Sequence, residues 1–404
     1  MHLLPASASP DATRLVAARS LRGLVDGFVS VLLAAYLVDA GFSPFEISAL
    51  ITGTLLGSAV LTLAIGLAGY RVRRRTLLLW SCALMSATGL GFASFTEFWP
   101  LLVIAVVGTL NPSAGDVSVF LPIEQAMVSE SVAPQDRTAL FARYNLGGLF
   151  AAAIGSLGAG IPVAVGLAVG ASRVDAQRLA FLVYAAMPLA LLWLYFGLQH
   201  GAEEAARGRG APLRKSRAVV FRLSALFSLD SFGGGFVVQS LLALWLFQRF
   251  GLTVGVAGAI FFVAGLLAAL SQLAAPRMAA RIGLVNTMVF THLPANGFLM
   301  LAAFMPTAPL AIGCLLLRMP FSSMDVPARQ SYTMAIVPPE ERAAAASVTN
   351  VPRSLASALA PLAAGAMLEA SSFGWPLLVG GLLKAIYDIL LWVQFRSLRP
   401  DDGA

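Results

Sequence analysis

The chain has 404 residues, 58% of them hydrophobic and 12% charged, with a formal net charge of +7 and a mean hydropathy of +0.81. A water-soluble globule needs a polar surface that this composition does not supply, so the chain is read as an integral membrane protein. Its apolar runs are long and unalternating, which excludes a β-barrel, whose strands read as ~10-residue alternating segments.

Residues 1–17 are polar, and Arg14, Arg19 and Arg22 flank the first apolar run in a way that imitates a secretory signal. More spans follow, so this run is read as an uncleaved first helix. Twelve spans are predicted, at residues 19–38, 46–68, 76–95, 99–127, 138–165, 178–198, 219–247, 254–275, 284–304, 308–335, 343–367 and 376–395. The fourth and tenth are long and carry internal prolines, which predicts kinks. Residues 199–217 (QHGAEEAARGRGAPLRKSR) are charged, Gly-rich and without apolar periodicity, as a flexible linker is. The chain therefore divides into residues 1–198, a cytoplasmic linker at 199–217, and residues 218–404. Cys82 and Cys314 lie in separate apolar runs without metal-ligand spacing, so neither a disulfide framework nor a metal site is expected.

The halves carry an internal repeat. At a constant offset of 205, Pro122, Gln125, Val132, Pro134, Arg137, Ala139 and Asn145 fall on Pro327, Gln330, Val337, Pro339, Arg342, Ala344 and Asn350. Pro, Gln, Arg and Asn are scarce in so apolar a chain, which makes duplication the better reading than shared composition. Each copy places prolines, acids and an arginine at a helix start.

Loop charges set the orientation. The N-terminus, the second, fourth, central, eighth and tenth loops and the C-terminus hold 17 Lys and Arg, against Arg173, Arg178 and Arg249 in the others. This places both termini and the linker in the cytoplasm and requires an even number of spans. The basic linker is assigned to this rule and to anionic lipid contact, with no nucleic-acid partner.

Two six-helix halves in parallel repeat, joined by a basic cytoplasmic linker, resemble the major facilitator superfamily of secondary transporters. That family typically has Gly-x-Leu-Ala-Asp-Arg-x-Gly-Arg-Arg/Lys between its second and third helices, and GLAGYRVRRR stands there at residues 66–75. Gly66, Arg71, Arg74 and Arg75 match, whereas Tyr70 replaces the Asp and Arg73 the second Gly. The corresponding loop of the second half, PRMAARIG at 276–283, keeps Arg281 and Gly283. The Gly-rich fifth span, residues 145–162, loosely resembles drug and proton antiporters of this family but lacks their central Gly-Pro pair. Close helix packing through small residues explains it equally well.

The resemblance implies that helices one, four, seven and ten line the central path, and five of six membrane-embedded acids fall there: Asp26, Asp116, Glu124, Asp230 and Asp325, with Asp388 outside. Burial favours a neutral carboxyl and access to water or substrate favours the charged one, the coupling a proton-driven exchanger needs. Asp230, beside three glycines at 233–235, is the first choice for the proton. For Asp26, a buried acid satisfied by Arg22 is the rival reading. Asp116 lies in a polar, broken-helix setting after Asn111 and Pro112, Gln239 is placed on the same path, and Arg318 suits an anionic substrate group or a counter-ion. A cytoplasmic gate is expected from Arg71, Arg74 and Arg281, and from Glu124 and Arg329, opposite charges at equivalent repeat positions with Arg143 and Arg353 as neighbours. Packing within each half is the rival reading. Lys384 and Asp388, spaced i, i+4, are read as a self-neutralising pair, and His292 as structural.

With no phosphate loop, nucleotide fingerprint or clustered catalytic side chains, the expectation is no enzyme and no cofactor. The function expected is proton-coupled secondary transport of small molecules in a bacterial inner membrane by a monomer, with protons and membrane lipids as further partners. Efflux of an amphiphilic compound is favoured. An uptake symporter for an organic anion, and a scaffold or sensor on the same fold, are the alternatives.

Overall fold

A computed structural model describes residues 4–68, 72–113, 119–133, 136–199, 214, 216–338 and 341–396. All regular structure among them is helical. The first three spans are the unbroken helices α1 (Pro10–Asp39), α2 (Pro44–Ala68) and α3 (Arg74–Ser94). The fourth is α4 (Phe98–Val107) and α5 (Leu121–Glu130), the fifth is α6 (Arg137–Gly158) and α7 (Ile161–Ala168), and the sixth is α8 (Arg173–Phe196). The seventh is α9 (Arg217–Gly235) and α10 (Gln239–Phe250), followed by α11 (Val254–Ile282) and α12 (Leu284–Phe304). The tenth is α13 (Ala308–Ser322) and α14 (Asp325–Ala335), and the last two are α15 (Arg342–Ala370) and α16 (Trp375–Phe395).

Eleven of these stretches are long and apolar enough to cross a bilayer, and α4 is a shorter apolar helix in the fourth position. Ten residues rise only ~15 Å, half of a ~30 Å hydrocarbon core. The fourth span is therefore not the continuous kinked helix expected over 99–127. Gly108 leaves α4 in extended backbone (φ −78°, ψ −174°), and Pro112 disfavours helical geometry at Asn111 before it. Pro122 and Pro327, by contrast, sit in the first turns of α5 and α14, where a missing N–H costs nothing.

The repeat is visible in the elements themselves. Shifted by 205, the end of α5 falls on the end of α14, and the start of α6 falls on the start of α15. The helices gather into two compact units, Met1–Gly208 with Leu252–Phe262, and Arg209–Gly251 with Val263–Ala404. Inside the first, α1 packs on α6 and α8, and α3 on α8; inside the second, α9 packs on α15 and α16, and α12 on α16. First span on fifth and sixth, third on sixth, is thus the scheme of both.

Glycines permit these close crossings. A methyl added at Gly23 or Gly27 would overlap the carbonyl of Gly148 or Ala152 on α6, and one at Gly155 would overlap that of Leu24. Gly235 meets Ser357 on α15 in the same way. Where lipid tails are as apolar as the side chains, such backbone approach is what lets dispersion forces hold helices together. The Gly-rich fifth span thus has a packing role.

The segments leading into the first span of each unit are anchored at equivalent sites. Ser7 Oγ donates to Asp136 at 2.6 Å, while Ser216 Oγ donates to Glu341 at 2.5 Å. Asp136 and Glu341 are the N-caps of α6 and α15 and obey the 205 offset.

Candidate functional site

Four elements of the second unit converge on one buried polar cluster. From α9 comes Asp230, 4% exposed. Its Oδ1 accepts from Lys384 Nζ of α16 at 2.6 Å and its Oδ2 from Arg329 of α14 at 3.1 Å. Arg329 also lies 3.4 Å from Asp325, one turn earlier on α14. On the other side, His292 of α12 places Nδ1 2.9 Å from Asp388 Oδ1 and Nε2 4.0 Å from Asp230 Oδ1. Asn296, one turn along α12, donates to Asp388 Oδ2 at 2.9 Å. Tyr387 stands edge-on to the imidazole.

The charges in this cluster do not cancel. With all three acids ionised, Asp230, Asp325 and Asp388 face Lys384 and Arg329 among the described residues, so one negative charge is left over while His292 is neutral. A carboxylate only accepts hydrogen bonds, so the proton of a neutral imidazole belongs on Nδ1, toward Asp388. Nε2 then turns a lone pair toward Asp230. A second proton, taken up on Nε2, would face that carboxylate and bring the cluster to neutrality. Buried charges are stable only when compensated.

The first unit holds a cluster of another kind. Glu124 of α5, 0% exposed, accepts from Arg22 of α1 and Tyr144 of α6 on one oxygen and from Tyr195 of α8, at 2.5 Å, on the other. The Arg22 guanidinium lies 4.6 Å over the Phe120 ring. Asp26, 6% exposed and one turn after Arg22, accepts from Asn111 Nδ2 at 3.4 Å, and Asn111 Oδ1 accepts from the Ser113 hydroxyl at 2.7 Å. Arg19, 5% exposed, has Nε and Nη1 without hydrogen-bond partners. Arg19 and Arg22 match Asp26 and Glu124 among the described residues.

Several expectations are redrawn by this geometry. Lys384 and Asp388 do not form a self-contained pair: the ammonium crosses to Asp230 and the carboxylate turns to His292 and Asn296. His292, read from the sequence as an isolated structural imidazole, stands between two acids. Arg22 hydrogen-bonds Glu124, with Asp26 close enough to share its charge. Glu124 finds its partners inside its own unit, and Arg143 bonds the Ala139 carbonyl of its own helix at 3.4 Å and not Glu124. Arg329 likewise engages Asp230 and Asp325. Arg19, read from the sequence as flanking the first apolar run, is buried in α1, which starts at Pro10.

Of the remaining candidates, Arg74 opens α3 and grips Glu130 at 2.5 and 3.0 Å, tying it to the end of α5. Arg281 is exposed in the last turn of α11, Arg353 is half-buried in α15, and Gln239 is the half-buried first residue of α10. Arg318 is half-buried within α13. Asp116 and Arg71 lie outside the described residues. The missed members, His292, Asn296 and Lys384, did leave a sequence signal. His292 and Asn296, like Lys384 and Asp388, are i, i+4 polar pairs within apolar spans, and each pair presents both side chains to one helix face.

Comparison with known proteins agrees with this architecture. The yeast "Uncharacterized membrane protein YJR124C" of Saccharomyces cerevisiae is 25% identical over 426 residues, covering 97% of this chain and 95% of its own. A bacterial homolog of the human lysosomal transporter Spinster superposes with TM-score 0.74 at 17% identity, over 96% of each chain. The nucleoside transporter NupG gives TM-score 0.72 at 14% identity, over 96% of this chain and 100% of its own. A D-xylose-proton symporter gives 0.71 at 14%, over 97% and 99%. The Major Facilitator Superfamily profile matches residues 15–351 and 226–403, so two six-helix repeats and family profile meet in one conclusion: the chain belongs to the Major Facilitator Superfamily.

Proposed function

We propose that this protein is a proton-coupled secondary transporter in which His292 and Asp388 carry the proton, with Asp230 as the fixed counter-charge. The observation behind this reading is the charge imbalance of the Asp230 cluster, where three acids face two permanent cations among the described residues and an imidazole is wedged between two of the acids. A group buried in the bilayer at such cost is retained for a task, and here protonation changes the net charge of the cluster. Residues 1–198 and 218–404 serve as the two halves that alternate access, joined by the linker at 199–217. Both termini face the cytoplasm of a bacterial inner membrane, a reading supported by the Lys and Arg excess in alternate loops. Aromatic side chains on the seventh and tenth spans, among them the edge-to-face pair Phe232 and Phe236, support an amphiphilic cargo, and efflux is the direction proposed. An organic anion taken up by symport is the second reading, favoured by Arg318.

The test is cellular accumulation of a panel of growth inhibitors and metabolites on expression of the protein, with and without a protonophore. At least one compound should change its accumulation in a protonophore-sensitive way in the wild type and not in His292→Gln. Equal accumulation in the two, for every compound that the wild type moves, would overturn the assignment of His292.

A further inference from the structure

Arg318 stands apart from the other arginines of the second unit's core. It lies ten residues after Ala308 in the 26-residue apolar stretch Ala308–Thr333, about 15 Å of helix from the start. Arg329 and Lys384 are each matched to a carboxylate, but no described residue pairs with Arg318, and its Nε is buried without a hydrogen-bond partner. The nearest acid along its own span, Asp325, is engaged by Arg329 at 3.4 Å.

The side chain is also on the inner side of its helix. Ala311, Cys314, Leu315 and Arg318 follow one another at i, i+3, i+4 and i+7, which is one face, and the first three are buried. Leu310 and Leu317, 53% and 57% exposed, mark a different face. Arg318 therefore does not lie along the exposed stripe from which a long basic side chain snorkels to lipid headgroups, and it starts from mid-span. A guanidinium kept unpaired in such surroundings lacks an oxyanion, and its planar fork fits a carboxylate, sulfonate or phosphate with two parallel hydrogen bonds. The residues sharing its face offer methyl, thiol and isobutyl groups and no hydrogen-bonding array for a sugar.

We propose that Arg318 is the anchor for an organic oxyanion with an apolar body, so that the cargo is an amphiphilic anion. This rests on reading the chain as a transporter but not on proton coupling, so the two fail separately. The experiment is thermal unfolding of the purified full chain in neutral detergent with benzoate, naphthalene-2-sulfonate and phenyl phosphate, each against its neutral amide or alcohol counterpart. At least one anion should raise the unfolding temperature in a saturable way while its neutral counterpart does not. Arg318→Gln should weaken that anion by tenfold or more, roughly the worth of one charge-assisted hydrogen bond, and Arg318→Lys by less.

A second arm guards against a variant that misfolds. In a Cys82→Ala, Cys314→Ala background, Arg318→Cys treated with aminoethyl methanethiosulfonate regains a cation and should regain the anion response. The sulfonatoethyl reagent should not restore it. No response to any anion in the wild type, an equal response in a folded Arg318→Gln, or an Arg318-dependent response only to phosphatidylglycerol and not to the soluble anions would overturn the proposal.

Discussion

The two buried clusters use the same parts of the repeat with opposite polarity. Glu124 on α5 and Arg329 on α14 occupy positions 205 apart, and each is held by a charge from the first span of its own unit, Arg22 in one and Asp230 in the other. In the first unit the carboxylate is saturated by a guanidinium and two phenols, and the surrounding charges cancel. In the second, three acids face two permanent cations among the described residues, with an imidazole between two of the acids. A duplicated scaffold thus tolerates either sign at the junction of its first and fourth spans, because what burial demands is compensation and not a particular residue. The saturated cluster reads as a lock, and the other is the part proposed to change charge.

The largest expected effect breaks the lock. Glu124→Gln strands the Arg22 guanidinium in the core and should destabilise by about 3–5 kcal/mol, read as a lowered thermal midpoint in detergent. Arg22→Met combined with Glu124→Leu should recover much of that loss, since a well-packed apolar pair removes both desolvation costs. Asp230→Asn should cost a similar ~3–5 kcal/mol, because Lys384 and Arg329 both lose their shared acid. This departs from the sequence-based ranking, in which Asp230 was the first choice for the proton and Asp388 formed a self-neutralising pair with Lys384. Wild-type stability in Asp230→Asn would restore that ranking.

Packing gives the next effect. Gly27→Ala on α1 and Gly235→Ala on α9 each force a methyl onto a neighbouring carbonyl, so both should cost about 1–3 kcal/mol in denaturant unfolding. A large cost in one unit alone would mean that the two crossings are not equivalent.

Smaller effects separate the two kinds of cluster. Tyr195→Phe and His292→Gln each remove one buried hydrogen bond, at about 1 kcal/mol. Only His292→Gln should abolish protonophore-sensitive transport, measured on a compound the wild type moves. If Tyr195→Phe does so equally, the first cluster is no mere lock. Ser216→Ala, which loosens the buried tether to Glu341, should cost about 1 kcal/mol, and Ser7→Ala, exposed at the equivalent tether, less. The difference is read from thermal midpoints of the two variants.

Much of the architecture was written locally. Run lengths of about 20 apolar residues, prolines and acids at helix starts, and seven residues repeated at a fixed offset gave the spans, the duplication and the family resemblance, because each depends on neighbours along the chain. The start of α15 at Arg342, matching that of α6 at Arg137, is such a feature. The break in the fourth span was half legible, since Gly108 and Pro112 mark a place where helix is disfavoured without saying how much is lost.

The charge partners were not local, and there the sequence left the choice open. Asp388 has Lys384 one turn away, yet it bonds His292, 96 residues distant, while Lys384 reaches Asp230, 154 residues away. In an apolar medium any of these pairings compensates charge, and which one forms depends on how α9, α12, α14 and α16 are turned about their axes. That rotation is fixed by the sum of many weak packing interactions and by glycines such as Gly233, where a methyl would press on Lys384. The sequence alone determined that buried charges exist and must be matched. Only the tertiary structure decided which were matched and left one acid in surplus and one arginine without a partner among the described residues.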